Sequence, residues 1–191
     1  MQPIHADITR ASTPEPAFYT DPALLLAEET AVFARSWQFV GHASQLARPG
    51  DYFTTTLGRE PLVFVNDDGV LRGFFNVCRH RAGTVAVGCG RTKRLVCRYH
   101  GWAYDLSGRL RTAPEMEGAQ DFDKADIKLA PVAVHQFGPL LFAALDPTTP
   151  SFDDFYPDLS ARCAPLGLER MQHFMTRDFH VASNWKLYVE N

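Results

Sequence analysis

The chain has 191 residues, a formal net charge of −3 and a hydrophobic fraction of 46%. That length admits one domain and part of a second, and the apolar content suffices for an ordinary core, which excludes disorder as the default. The near-balanced charge gives no general pull toward nucleic acid or an anionic membrane, and no apolar run approaches the ~20 residues that cross a bilayer.

The first twenty residues contain Asp7, Glu15 and three prolines but no apolar run, so they do not read as a secretory signal, and a soluble, cytoplasmic protein is expected. Thr20-Asp21-Pro22 reads as a helix start, with an oxygen-bearing cap followed by proline in the first turn. Leu26, Thr30, Phe33 and Trp37 then recur at helical spacing, which predicts a short amphipathic helix. From Gln38 the pattern changes. Phe53–Leu57, Pro61–Val65 and Val70–Phe75 are short runs rich in β-branched and aromatic residues, continued by Val132–Val134 and Leu140–Leu145. Asn66-Asp67-Asp68-Gly69 and Asp105-Leu106-Ser107-Gly108 are expected as hairpin turns.

Between Ala113 and Pro131 the chain is acidic, with Glu115, Glu117, Asp121, Asp123 and Asp126, and reads as a solvated surface excursion. Asp146 to Ser151 has the composition of a linker; Met171 to Val181 reads as extended, and Asn184-Trp185-Lys186 as the start of a helix. The C-terminus reads as cut rather than finished. The predicted organisation is an N-terminal tail and helix over 1–37, a small antiparallel β domain over 38–147, and a linker with the beginning of a further domain over 148–191.

Cys78-Arg79-His80 and Cys97-Arg98-Tyr99-His100 each offer one cysteine and one histidine, and each is followed by a glycine, Gly83 or Gly101. Thiolates hold iron and carry its charge, while neutral imidazoles donate less charge and leave a more easily reduced metal. Two cysteines and two histidines shared between the irons of a binuclear cluster is the Rieske ligand logic. A Cys/His quartet also suits a structural zinc, but zinc-finger spacings usually put the cysteines in one pair and the histidines in the other, whereas both pairs here are mixed. The expected assignment of a [2Fe–2S] cluster is Cys78 and Cys97 on one iron and His80 and His100 on the other.

Cys89 and Cys163 read as free thiols outside the ligand set, and His5, His42, His135, His173 and His180 are scattered and receive no role. Trp102 is expected to exclude water from the cluster. Arg79, Arg81 and Arg98 surround the ligands, either paired within the domain or available to dock a negatively charged electron donor.

At these residues the chain resembles the α subunits of Rieske non-haem iron oxygenases, the ring-hydroxylating dioxygenase group. Asn76 to Arg81 and Cys97 to Asp105 look like that family's two cluster boxes, and the likeness spans about residues 18 to 191. Leu106 to Leu110 and the acidic stretch look most like the choline-monooxygenase branch, which acts on quaternary ammonium compounds. The resemblance implies a mainly β fold, in which a Rieske antiparallel β domain with an N-terminal helix precedes the beginning of an α+β catalytic domain.

Respiratory Rieske proteins carry an extra cysteine in each box, joined as a disulfide; the matching positions here are Gly83 and Tyr99, which places the chain with the oxygenase type. The resemblance also implies a reductase or ferredoxin as electron donor, a trimer-like homo-oligomer for the full-length protein, and a mononuclear Fe(II) site in a catalytic domain beginning at Asn184 to Asn191. None of that iron's ligands is present, so catalysis by this chain alone is not expected. The leading expectation is the electron-transfer portion of a mono- or dioxygenase; the alternatives are a stand-alone Rieske ferredoxin and a zinc-bound structural module.

Overall fold

A computed structural model describes residues 5–190. It divides into two compact units, Phe33–Phe174 and a second that joins the N-terminal segment up to Val32 to the segment from Met175.

The larger unit is built on two antiparallel sheets. Its strands are β1 (Gln38–His42), β2 (Asp51–Leu57), β3 (Glu60–Asp67), β4 (Val70–Phe75), β5 (Cys89–Arg91), β6 (Leu95–Val96), β7 (Ala103–Tyr104), β8 (Leu110–Thr112), β9 (Pro131–Phe137) and β10 (Leu140–Ala144). Seven of them form one sheet in the order β1-β10-β9-β4-β3-β2-β5, and β6-β7-β8 form the other. Together with the short helices, this is the mainly β architecture the sequence implied.

Turn chemistry explains the meander. Asp68 and Gly69, the two residues between β3 and β4, have φ of 50° and 93°. A two-residue turn with both central residues left-handed matches the twist of the flanking strands, and Asn66 Oδ1 accepts from Gly69 N at 2.6 Å to close it.

β3 lies between β4 and β2 in the larger sheet, and alternation assigns its two faces to two cores. Val63 and Val65 join one buried cluster with Val85, Leu95, Trp102, Tyr104 and both Cys78 and Cys97. Leu62 and Phe64 join another with Phe53, Val132 and Leu141. Both faces of the strand are thus dry, which explains why Pro61–Val65 reads as a continuous apolar run rather than an alternating one.

Several expectations are corrected. β1 was not anticipated; it pairs with β10 and carries an irregularity between Phe39 and Gly41. A side chain at Gly41 would bring its Cβ to 2.7 Å from the Phe53 ring, so packing dictates that glycine and weakens the strand signal. Trp37 shares the spacing of Leu26, Thr30 and Phe33 but lies outside the helix. It is buried against Phe152, and its Nε1 donates to the carbonyl of Pro150 at 3.0 Å.

The residues with linker composition are thereby tied to the β unit, helped by Arg35 against Asp146 at 3.2 Å. Short helical turns follow at Phe152–Phe155 and Leu159–Cys163. Phe152 is 2% exposed and anchors the first of them, a burial that contributes roughly 1.5–3 kcal/mol. Residues 171–181 carry no regular element.

In the smaller unit, Asp21 accepts from Ala23 N at 2.8 Å and Pro22 occupies the first turn of the helix Pro22–Glu28, which runs on as a π turn over Glu29–Phe33. The helix Trp185–Glu190 begins where expected, with Asn184 Oδ1 accepting from Lys186 N. One carboxylate clasps the two helices. Glu28 accepts from Lys186 Nζ at 2.5 Å and from Trp185 Nε1 at 2.8 Å. The Lys186 ammonium also sits 4.5 Å from the Phe18 ring centroid.

Burial would raise the Glu28 carboxyl, but the bonds from Lys186 and Trp185 prevail and hold it below its ordinary value. Lys186→Met should destabilise the helix pair by about 1–3 kcal/mol, because it removes the cation on a part-buried carboxylate and leaves it the Trp185 hydrogen bond. Since the folded-state value lies below the unfolded one, near 4.3, the loss should be complete above that pH and vanish as pH falls through the folded value. Hydrogen exchange of the amides in residues 22–33, followed from neutral pH to acid, measures both the size and the sign.

Candidate metal centre

The two Cys/His segments occupy loops at strand ends. Cys78 lies three residues beyond β4, and Cys97 directly follows β6 in the loop leading to β7. The loops close by the same pair of backbone hydrogen bonds. Cys78 N donates to Gly83 O at 2.8 Å and Ala82 N to Cys78 O at 3.1 Å; Cys97 N donates to Trp102 O at 2.9 Å and Gly101 N to Cys97 O at 3.0 Å. Each turn needs a left-handed residue four places after its cysteine, supplied by Ala82 (φ 56°) and Gly101 (φ 72°). Glycine takes that conformation freely, whereas alanine holds it at a cost of roughly 1 kcal/mol.

The loops converge. The His80 and His100 rings have centroids 4.7 Å apart. A Cβ built on Gly83 would lie 2.9 Å from Cys97 Sγ and 3.4 Å from Tyr99 Cβ. The first contact shows that the first loop's backbone rests directly on the second loop's thiol. The second shows that positions 83 and 99 face each other at about the Cβ separation a disulfide spans, yet glycine and tyrosine stand there.

Polarity is layered across the site. Cys78 and Cys97 are each 3% exposed, both free thiols, while His80 and His100 are half-buried. Aromatic rings flank the imidazoles: Trp102 lies parallel to His80 at 4.8 Å and 6°, and Tyr99 stacks on His100 at 3.9 Å. Trp102, 3% exposed, shields the site from water as its position after the second box suggested.

Burial first, then the neighbouring His100 and Arg81, hold the His80 imidazole below its ordinary value, so it is neutral with a lone pair free. Its Nδ1 is buried without a hydrogen-bond partner. Buried polar atoms rarely stay unpaired, and two buried thiols beside an unpartnered imidazole nitrogen form a donor set suited to iron. Among the described residues no three His, Cys, Asp or Glu gather around one ion position. A binuclear cluster does not ask for that, because each of its irons takes two protein ligands.

Two supporting residues had no assigned role in the sequence. Tyr104 Oη lies 3.2 Å from Cys78 Sγ and accepts from Arg79 N at 3.0 Å. A Cys78 thiolate can only accept, so toward it the Tyr104 hydroxyl is the donor. Burial, reinforced by the contact with Cys78, pushes the phenol well above its ordinary value, so Tyr104 stays a donor. Asn76 braces the first loop: its Oδ1 accepts from Val85 N and Ala86 N at 3.0 Å each, and its Nδ2 donates to Ala86 O at 2.9 Å. Position alone could have flagged both, since Asn76 opens the first box and Tyr104 lies within the second.

The acidic stretch is not only a solvated face. Its carboxylates are exposed, but Met116, Phe122 and Ile127 turn inward against the cluster that contains the thiols, with Phe122 5.7 Å from Trp102. Cys89 is exposed on β5, and Cys163 is half-buried in the turn Leu159–Cys163. His42 caps the turn Ala43–Leu46 by accepting from Ser44 N, and its ring lies 6.1 Å from that of His173; His135 stacks on Phe152 at 4.3 Å; His5 and His180 are exposed.

A β scaffold that holds two mixed Cys/His loops against each other defines an iron–sulfur domain. The chain belongs to the Rieske [2Fe-2S] domain family, whose model matches residues 36–131. Members of that family carry a [2Fe–2S] cluster. The chain is 37% identical over 182 residues to the glycine betaine monooxygenase oxygenase subunit of Chromohalobacter salexigens, covering 94% of this chain and 40% of that protein. It is also 37% identical over 181 residues to the carnitine monooxygenase oxygenase subunit of Escherichia coli, covering 91% and 48%.

Among solved structures, the quaternary ammonium Rieske monooxygenase CntA superposes with a TM-score of 0.89 at 30% identity, over 94% of this chain and 54% of that one. Naphthalene 1,2-dioxygenase from Rhodococcus sp. gives 0.73 at 30% identity, over 78% and 35%. The chain spans half or less of the length of these two curated relatives.

Gly83→Ala should keep the fold but lower the iron bound per chain several-fold, because its Cβ would displace the Cys97 sulfur. Gly118, with nothing within 4 Å of a built Cβ, provides the matched control. Iron analysis beside circular dichroism of both variants checks this.

Proposed function

We propose that Cys78 and Cys97 hold one iron of the [2Fe–2S] cluster and that His80 and His100 hold the other. The convergence of two buried free thiols and two half-buried imidazoles from loops with matching hydrogen bonds carries this reading. When bound, such a cluster takes up and releases one electron at a time. The chain's residues place and tune it. Tyr104 directs its hydroxyl proton at the Cys78 sulfur, which favours the more negative, reduced state. Gly83 lets backbone approach the Cys97 sulfur. Trp102 and Tyr99 flank the imidazoles, and the half-buried histidines form the edge nearest solvent, where electrons enter and leave over the shortest distance.

In the whole protein we take this to be the electron-delivering portion of an oxygenase that acts on quaternary ammonium compounds. The similarity to the glycine betaine and carnitine monooxygenase oxygenase subunits supports this branch over the aromatic dioxygenases. The same likeness supports a reductase or ferredoxin as electron donor, a mononuclear iron held by residues outside this sequence as the electron's destination, a trimer-like homo-oligomer and a cytoplasmic setting. Among the described residues no helix is long and apolar enough to cross a membrane.

The chain purified without oxygen should contain about two irons and two acid-labile sulfides, absorb in the visible and give a paramagnetic signal on reduction. Replacing Cys78 or Cys97 by serine, or His80 or His100 by alanine, should abolish all three, while Cys89→Ser and Cys163→Ser should preserve them. A colourless chain holding zinc would overturn the assignment.

The longer protein containing this chain, supplied with a reductase and NADH, should consume oxygen in response to glycine betaine, carnitine or choline. A response to naphthalene and none of these three would place it in the other branch.

A further inference from the structure

The indole nitrogen of Trp102 is buried without a partner. The residue is 3% exposed, and among the described residues nothing accepts from its Nε1. The chain's other two tryptophans are matched: Trp37 Nε1 donates to Pro150 O at 3.0 Å and Trp185 Nε1 to Glu28 at 2.8 Å. An indole N–H can only donate, and buried donors rarely stay unpaired. The Trp102 nitrogen therefore has a place for an acceptor that the polypeptide does not supply.

The source of that acceptor follows from the surroundings. Trp102 directly precedes β7 and Tyr104 ends it. Both join the buried cluster that contains Cys78 and Cys97, whereas the intervening Ala103 does not, as alternation along an extended chain requires. From this side Tyr104 reaches the Cys78 sulfur. The indole lies parallel to the His80 ring, at 4.8 Å and 6°, and His80 Nδ1 is likewise buried and unpartnered. Met116, Phe122 and Ile127 pack against the same cluster, so a trapped water would find few of the roughly two to four polar partners it needs. Neither cysteine sulfur accepts from Nε1. What remains are the inorganic sulfides that a [2Fe–2S] cluster brings with it.

We infer that the Trp102 indole N–H donates to an inorganic sulfide of the bound cluster and raises its reduction potential. This rests on the cluster reading above and goes beyond the exclusion of water by the ring. Uptake of one electron makes the sulfides more negative, so a donor aimed at them favours the reduced state over the oxidised one. The stack on His80 and the bond from Cys97 N to Trp102 O hold the indole to both loops, which keeps the donor in place.

Trp102→Phe in the iron-loaded full chain keeps an aromatic ring and removes the donor. A redox titration should place its potential about 59 mV below that of the unaltered chain, a tenfold shift in the one-electron equilibrium, with iron content retained. The sign separates this role from a merely shielding one. Loss of shielding would admit solvent, favour the more highly charged reduced state and raise the potential.

A second measurement needs no variant to load iron. In the chain grown with indole-15N tryptophan, pulsed paramagnetic resonance of the reduced cluster should show one weak 15N coupling with an isotropic part, which a nitrogen merely nearby lacks. Trp185→Phe should keep that coupling and Trp102→Phe should lose it. An unchanged or higher potential in Trp102→Phe would overturn the inference, as would absence of the coupling from the unaltered chain. A chain that binds no [2Fe–2S] cluster would overturn the earlier reading, and this inference with it.

Discussion

The thiols of Cys78 and Cys97 are packed as core residues, and the rest of the site follows from that. Both belong to the buried cluster that includes Val63 and Val65 of β3. A sulfur in such a place cannot move without disturbing strand packing, since interiors are close-packed and tolerate little displacement. The sheet therefore fixes the separation of the two loops, and the loops fix the imidazoles at their outer ends. Burial also lowers the local dielectric around the sulfurs, which strengthens the hydrogen bond between Tyr104 and the Cys78 sulfur.

The loops themselves are more alike than their sequences. Histidine stands two places after cysteine in the first and three in the second, yet both close with the same donor and acceptor positions. The extra residue in the second is Tyr99, whose ring stacks on His100 and whose Cβ faces Gly83. Where related respiratory proteins brace the loops with a disulfide, this chain relies on packing: glycine allows backbone contact and tyrosine covers it. A site without that covalent brace depends on its surroundings for rigidity, which explains the bracing by Asn76 and the inward turn of Met116, Phe122 and Ile127.

Much of the scaffold was legible because local chemistry dictated it. The strands from Asp51 to Phe75 carry β-branched and aromatic residues, and Asp68-Gly69 can adopt a tight turn that few other pairs allow. Elements whose signal is tertiary escaped notice. β1 contains a glycine demanded by the Phe53 ring, so its own propensity is weak. Residues 146–151 have linker composition, but Trp37 and Arg35 hold them in place. Trp37 shares the helical spacing by coincidence, since the aromatic partner that buries it, Phe152, lies more than a hundred residues away.

By itself the sequence determined the kind of centre this protein builds: two mixed Cys/His boxes imply a Rieske cluster because only thiolates and imidazoles in that combination suit its two irons, and residue identity is independent of folding. Tertiary structure alone decided how the centre is held and where it faces. That Tyr104 reaches Cys78, that Trp102 and Tyr99 stack on the two imidazoles, and that the Trp102 N–H is buried without an acceptor are facts about distances between strands and loops. Such distances arise when β3 is buried on both faces, which no local spacing encodes.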